Sequence, residues 1–333
     1  MHTAPVRLFL VTSCLWVGLF LVLTGGPLPA EVQAGPLDAA VRLEAEIPAN
    51  ARTAPTLGER REGVGIVFDD EQRILTIGYL ILEARTVRVI DVDGRVIPAA
   101  ILGYDGDTGL GVLQALAPLR AQPIALGDSE PIEPSTRLQV LSRNLDSMMQ
   151  EVVVLERSNF AGYWEYLLEN AIFTTPAIPD FAGAGLVNEQ GELVGVGSLF
   201  VRRPYQDMLV PGNMFVPTEV LFPILEDLIR EGRPNRPAKP WMGITVADQL
   251  GRILVQRVSP NGPASNSGLQ AGDLILKVGE YPVEDLETFF RRVWDRGEAG
   301  IRVPLTVLKG TEIREVEVET ADRSRFYQSL QYD

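Results

Sequence analysis

Apolar residues alternate with polar ones in short runs through most of this chain, and Gly- and Asp-containing turns punctuate the runs. Residues 65–68, then Asp69-Asp70, then 74–76 predict strand, turn, strand. Residues 86–92, Asp93-Gly94 and 95–99 predict a hairpin, because Asp-Gly accepts the positive backbone angles that a tight two-residue turn needs. Residues 186–188, Glu189-Gln190-Gly191 and 192–196 repeat that logic. Many short strands with few helical periods predict a β-barrel or sandwich over about 60–218. Ahead of it, residues 35–58 are rich in Pro and Ala and predict a linker with a short helix around 37–46. After it, Leu221, Ile224, Leu225, Leu228 and Ile229 fall at helical spacing and Gly232 supplies a stop, which predicts a helix over 220–231 starting close to Pro223. Pro234, Pro237 and Pro240 then mark a boundary. Beyond it, strands at 253–258, 274–276, 303–307 and 315–319, a helical turn at 264–268 and an amphipathic helix at 286–294 predict a small, separately cored module.

The chain has 333 residues, 46% of them hydrophobic, which is enough for two or three cores. Its net charge is -14, and since Arg7 and Glu31 cancel within the first 34 residues, the excess lies entirely after them. Nucleic acid is excluded as a partner, because phosphate binding needs a basic face. Arg7 precedes an apolar run over 8–23, and small residues around Val32-Gln33-Ala34 suit a signal peptidase, so residues 1–34 read as an export signal. The alternative is an uncleaved anchor, since the run is nearly long enough to span a bilayer. Cys14 and His2 are the only cysteine and histidine in the chain, and both lie in that segment. With the signal removed, disulfides, thiol nucleophiles and the usual zinc sites go together.

Residues 61–320 resemble the HtrA/Deg family of trypsin-like proteases followed by a PDZ domain. In the PDZ half the resemblance rests on 259–264 (Ser-Pro-Asn-Gly-Pro-Ala), 268–276 (Gly-Leu-Gln-Ala-Gly-Asp-Leu-Ile-Leu) and 303–308 (Val-Pro-Leu-Thr-Val-Leu). In the barrel half it rests on 63–67 (Gly-Val-Gly-Ile-Val), 125–129 (Ala-Leu-Gly-Asp-Ser) and 191–195 (Gly-Glu-Leu-Val-Gly). It implies a mainly β fold: a trypsin-like double β-barrel followed by a small α/β PDZ domain. The expected organisation is a signal or anchor at 1–34, a linker at 35–60, the trypsin-like domain at 61–235 and the PDZ domain at 236–325.

The family's three catalytic positions are all substituted. Its histidine follows an Ile-Leu-Thr stretch, and here Ile74-Leu75-Thr76-Ile77-Gly78-Tyr79 puts Tyr79 there. Its aspartate follows a threonine, and Thr108-Gly109-Leu110 puts Gly109 there. Its serine lies in a Pro-Gly-Asn-Ser-Gly-Gly string, and Pro179-Asp180-Phe181-Ala182-Gly183-Ala184 puts Ala182 there. Serine attack needs a hydroxyl, a base to take its proton and a group that orients the base, and Tyr, Gly and Ala supply none of them. Asp180 also replaces a glycine in the oxyanion turn, where a carboxylate opposes developing negative charge.

A serine-lysine dyad is closed within the barrel, whereas carboxylate pairs such as Asp69 with Asp70 or Asp105 with Asp107 stay open as an alternative. Lys239, Lys277 and Lys309 are the only lysines, and all lie in the connector or the PDZ-like module. The pairs Asp69-Asp70 and Asp105/Asp107 read as turn residues, Asp105, Asp107 and Asp180 as solvated carboxylates rather than a metal site, and Arg202-Arg203 as a solvated loop pair. Phe160, Tyr163, Trp164, Tyr166 and Leu167 form an aromatic cluster that reads either as a groove lining or as packing. No cofactor and no metal are expected.

A PDZ domain adds an extended C-terminal peptide to a sheet edge and captures its carboxylate in a backbone nest. By resemblance, Met242-Gly243-Ile244 is that nest, and Leu286, Phe289 and Phe290 are candidates for the opposite wall of the groove, or else core residues. The expected function is an exported pseudoprotease that binds peptide or protein C-termini, in the bacterial periplasm or anchored at the inner membrane facing it. The alternative is residual or displaced hydrolysis in envelope protein quality control. A homo- or hetero-oligomer with HtrA-type relatives is a further expectation, although residues 35–61 hold no aromatic residue for an N-terminal contact.

Overall fold

The structure, a computed structural model, describes residues 1–2, 35–143, 147–249 and 251–327. The expected export signal lies outside the described residues, and among those described no helix is long and apolar enough to cross a membrane. Six strands close a first barrel in the order β1-β2-β3-β6-β5-β4: β1 Ala40–Glu46, β2 Arg60–Val67, β3 Arg73–Ile77, β4 Thr86–Ile90, β5 Val96–Tyr104 and β6 Leu110–Ala115. A second barrel closes as β10-β11-β12-β9-β8-β7, from β7 Arg137–Arg143, β8 Ser147–Gly162, β9 Tyr166–Thr175, β10 Gly185–Val187, β11 Leu193–Tyr205 and β12 Met208–Pro217. Closure leaves neither barrel with an open edge.

The third body is a sheet of β13 Ile244–Asp248, β14 Ile253–Val258, β15 Leu274–Val278, β17 Arg302–Lys309 and β18 Glu312–Glu319, with the short β16 Tyr281–Pro282 beside β15. Here β13 is a sheet edge. Among the described residues there are five α-helices: α1 Ala54–Leu57, α2 Leu225–Glu231, α3 Pro263–Asn266, α4 Leu286–Trp294 and α5 Arg323–Phe326. Each body has its own apolar core. The first barrel's core continues into the seam between barrels through Tyr166, Phe173 and Met214, and Phe289 and Phe290 anchor that of the third body.

The predicted elements need three corrections. Residues 40–46 are not helical and not linker: β1 pairs with β2 on one side and β4 on the other, and its buried positions alternate. Ala and Glu favour a helix locally, but two-sided pairing and burial decide. The hairpin at Asp93-Gly94 is a three-residue loop closed by Asp91 and Arg95, in which Gly94 alone has positive φ, +83°. The buried Asp91 carboxylate sets this geometry, since it accepts from the amides of Val92, Arg120 and Ala121 and pairs with Arg95. The helix expected over 220–231 is shorter: a 3-10 turn at Thr218–Val220 precedes α2, which starts two residues after Pro223 and ends at Gly232 with φ +74°. The α4 boundaries match the amphipathic pattern, and Asp285 caps it by accepting from the Thr288 amide at 2.7 Å.

Candidate functional site

The three residues that the resemblance aligns with the triad, Tyr79, Gly109 and Ala182, lie at the seam between the barrels. Tyr79 sits in a 3-10 turn, Gly78–Leu80, directly after β3. The buried Arg61 guanidinium fixes that turn by donating to the carbonyls of Tyr79 (2.7 Å) and Leu82 (2.9 Å), and the Gly78 amide donates to the Gly109 carbonyl at 2.6 Å. Gly109 precedes β6 with φ +78°, and a Cβ built there would lie 3.6 Å from Tyr166 Oη. Ala182 lies ahead of β10, and its carbonyl accepts from the Val64 amide at 2.8 Å. That approach requires glycine at 63 and 183. A Cβ on Gly63 would lie 2.7 Å from the Ala182 carbonyl, and one on Gly183, at φ +79°, would lie 2.0 Å from that of Val64.

The Tyr79 side chain is a brace between the barrels. The Tyr79 phenol reaches across the seam and donates to the carbonyl of Ser198, on β11 of the other barrel, at 2.9 Å. Burial pushes this phenol well above the ordinary tyrosine range, so it stays protonated and accepts no proton near neutral pH. The turn carrying Asp180 is held by Ser142, whose hydroxyl donates to the Asp180 carbonyl at 2.9 Å. Upstream, buried Asn213 accepts from the Ile178 amide at 2.6 Å.

The other candidates have structural partners. Asp69 accepts from the Arg73 amide and side chain, and Asp105 accepts from the Thr108 amide and Arg236. Asp107 pairs with Arg236 and Lys239, and Lys309 with Asp273. Arg202 and Arg203 stand on β11, not on a loop, and Arg203 lies 3.7 Å above the Phe173 ring. No group of three or more His, Cys, Asp or Glu side chains is placed to hold a metal among the described residues. The aromatic cluster packs inward, with Trp164 stacked on Tyr166 at 5.4 Å and tilted against Phe160, whereas Tyr163 is 55% exposed.

In the third body, Met242-Gly243-Ile244 forms the turn entering the edge strand β13, with Gly243 at φ +79°. Its amides converge on one residue that sequence reasoning passed over. Glu165, at the tip of the β8–β9 hairpin, accepts at Oε2 from the Met242 amide (2.8 Å) and at Oε1 from those of Gly243 (2.8 Å) and Ile244 (2.9 Å). Two residues earlier, the Tyr163 carbonyl accepts from the Val246 amide at 2.8 Å. Glu165 is 5% exposed, and burial raises its carboxyl above the usual range while the three amides and the nearby Arg323 oppose that shift. On the groove's opposite side, Asn159 of β8 donates to Glu287 and Arg291 of α4 pairs with Glu169 of β9. Phe289 and Phe290 are entirely buried in the core, and Leu286 is half-buried beside it. The only sequence signal for Glu165 was a lone acid inside Tyr-Trp-Glu-Tyr.

Comparison with known proteins agrees with these bodies. A trypsin-like peptidase domain matches residues 63–196 and a PDZ domain matches residues 240–320. The serine endoprotease DegS of Escherichia coli (strain K12) is 30% identical over 260 residues, covering 72% of this chain and 71% of its own. A probable periplasmic serine endoprotease DegP-like of Halomonas elongata is 27% identical over 286 residues, covering 79% of this chain and 57% of its own. Among solved structures, the HtrA-type protease AlgW with decapeptide superposes with a TM-score of 0.53 at 21% identity, covering 86% of this chain and 96% of that one, a likeness of fold. Two closed barrels, a PDZ body on the C-terminal side and the match to DegS together place this chain in the HtrA family of trypsin-fold serine proteases with a PDZ domain.

Proposed function

We propose that this chain is a non-proteolytic member of its family, exported to the bacterial envelope, that works by binding protein or peptide C-termini through its PDZ domain. The observation that carries the reading is the filling of the triad positions by Tyr79, Gly109 and Ala182, with the phenol of Tyr79 committed to the Ser198 carbonyl. Proton transfer from a nucleophile requires an acceptor within reach, and no histidine occurs after His2. The apolar N-terminal run and the name of the Halomonas elongata relative, a probable periplasmic protein, support an envelope location.

The test is incubation of the purified chain with unfolded casein and with a fluorophosphonate probe for activated serines. Neither cleavage nor labelling is expected. Cleavage that persists in contaminant-free material would overturn the reading and favour a displaced hydrolytic centre.

A further inference from the structure

The nest that should receive a peptide's chain end is occupied by this chain's own carboxylate. Met242, Gly243 and Ile244 all donate to Glu165, and the segment leading to Glu165 lies along the free edge of β13. The register is that of an added strand. Tyr163 and Glu165 are two residues apart, as are Val246 and Ile244, so the carbonyl of one and the carboxylate of the other meet alternate positions of the same edge. Glu165 has φ +57°, a left-handed conformation uncommon for a residue with a side chain. That twist carries the main chain away into β9 and leaves the side chain to enter the nest where a terminal carboxylate would sit.

We infer that residues 162–165 are an internal ligand, a side-chain imitation of a C-terminus, and that a peptide ending in a free α-carboxylate binds this PDZ groove only by displacing Glu165. The inference rests on the peptide-binding reading and adds a built-in competitor to it. A tethered competitor acts at an effective concentration on the order of millimolar, so it suppresses weak guests and admits those that make more contacts than it does. Apparent affinity is then the intrinsic affinity reduced by the fraction of molecules with an open groove. Tyr163, largely exposed, makes no deep contact for a guest to match; the chain end and the extended backbone are what the site reads.

The experiment compares the purified wild-type chain with Glu165→Ala. The probe is a fluorescent peptide that copies residues 160–164 and ends in valine with a free carboxylate, and the same peptide amidated is the control. Hydrogen exchange of the 242–246 amides is measured in parallel. The expected results are protected amides in the wild type, exchange accelerated by about tenfold or more in Glu165→Ala, probe binding tightened by about tenfold or more in that variant, and no binding of the amidated peptide. Equal binding by both proteins with unchanged exchange overturns the internal ligand and leaves peptide binding intact. Accelerated exchange with no probe binding by either protein overturns the peptide-binding reading itself. If Glu165→Ala does not fold, Glu165→Gln gives the same comparison, because it keeps the shape but turns an amide donor toward a nest of donors.

Discussion

Replacing Tyr79 by phenylalanine isolates the brace from everything else at the seam between the barrels. The ring stays and only the hydroxyl is lost, so the buried Ser198 carbonyl forfeits the partner that now lies 2.9 Å from it. A net intramolecular hydrogen bond contributes about 1 kcal/mol, and a buried acceptor left unpaired costs about 1–3 kcal/mol, so Tyr79→Phe is expected to destabilise by about 2 kcal/mol. For a body of some 150–250 residues, about 2–4 °C per kcal/mol gives a fall in Tm of about 4–8 °C. Urea denaturation followed by tryptophan fluorescence measures the free energy, and calorimetry the Tm. Tyr79→His is expected to lose as much, since the shorter ring does not reach across the seam, and to gain no cleavage. A Tyr79→Phe protein as stable as the wild type within about 0.5 kcal/mol would refute the assignment of a bracing role across the seam, since changes of that size are what neutral surface substitutions give.

Further outcomes follow from other parts of the structure. Arg61→Met removes a buried cation that serves the Tyr79 and Leu82 carbonyls and Thr53 Oγ1 and faces Glu83, and it should cost about 3–5 kcal/mol by urea titration. Burial raises the phenols of Tyr79, Tyr104 (to about 12) and Tyr166, so their stabilisation is complete below the unfolded phenol value of about 10 and is lost as pH rises through the folded values; an ultraviolet titration should show them ionising only together with alkaline unfolding. On the proposed reading, in which Asp180 stands in the oxyanion turn, the triple variant Tyr79→His, Gly109→Asp, Ala182→Ser should remain a poor protease on casein, and adding Asp180→Gly should raise its rate by about 10²–10³-fold.

Local chemistry made much of this legible. The helix α4 announced itself by its amphipathic period. The first strand was hidden because Ala40–Glu46 is rich in helix formers, and only its partners β2 and β4, distant in sequence, make it extended. The long β8–β9 hairpin was hidden for a related reason: it is built on pairings along its length, and Glu165 and Asn170 adopt left-handed angles without the glycine that usually signals them. Nothing near Glu165 in sequence points to amides 77–79 residues away, so an acid that ties two domains together looks like an ordinary surface residue. Phe289 and Phe290 illustrate the opposite difficulty, since an apolar helix face does not say whether it meets a guest or its own core.

On the proposed reading, the tyrosine brace also bears on the order in which cleavage chemistry could be assembled here. A lone histidine at position 79 surrenders the bond that joins the barrels and gains no chemistry, because positions 109 and 182 still lack a carboxylate and a hydroxyl. A route toward cleavage that begins at position 79 therefore passes through a less sturdy protein before it meets any reward.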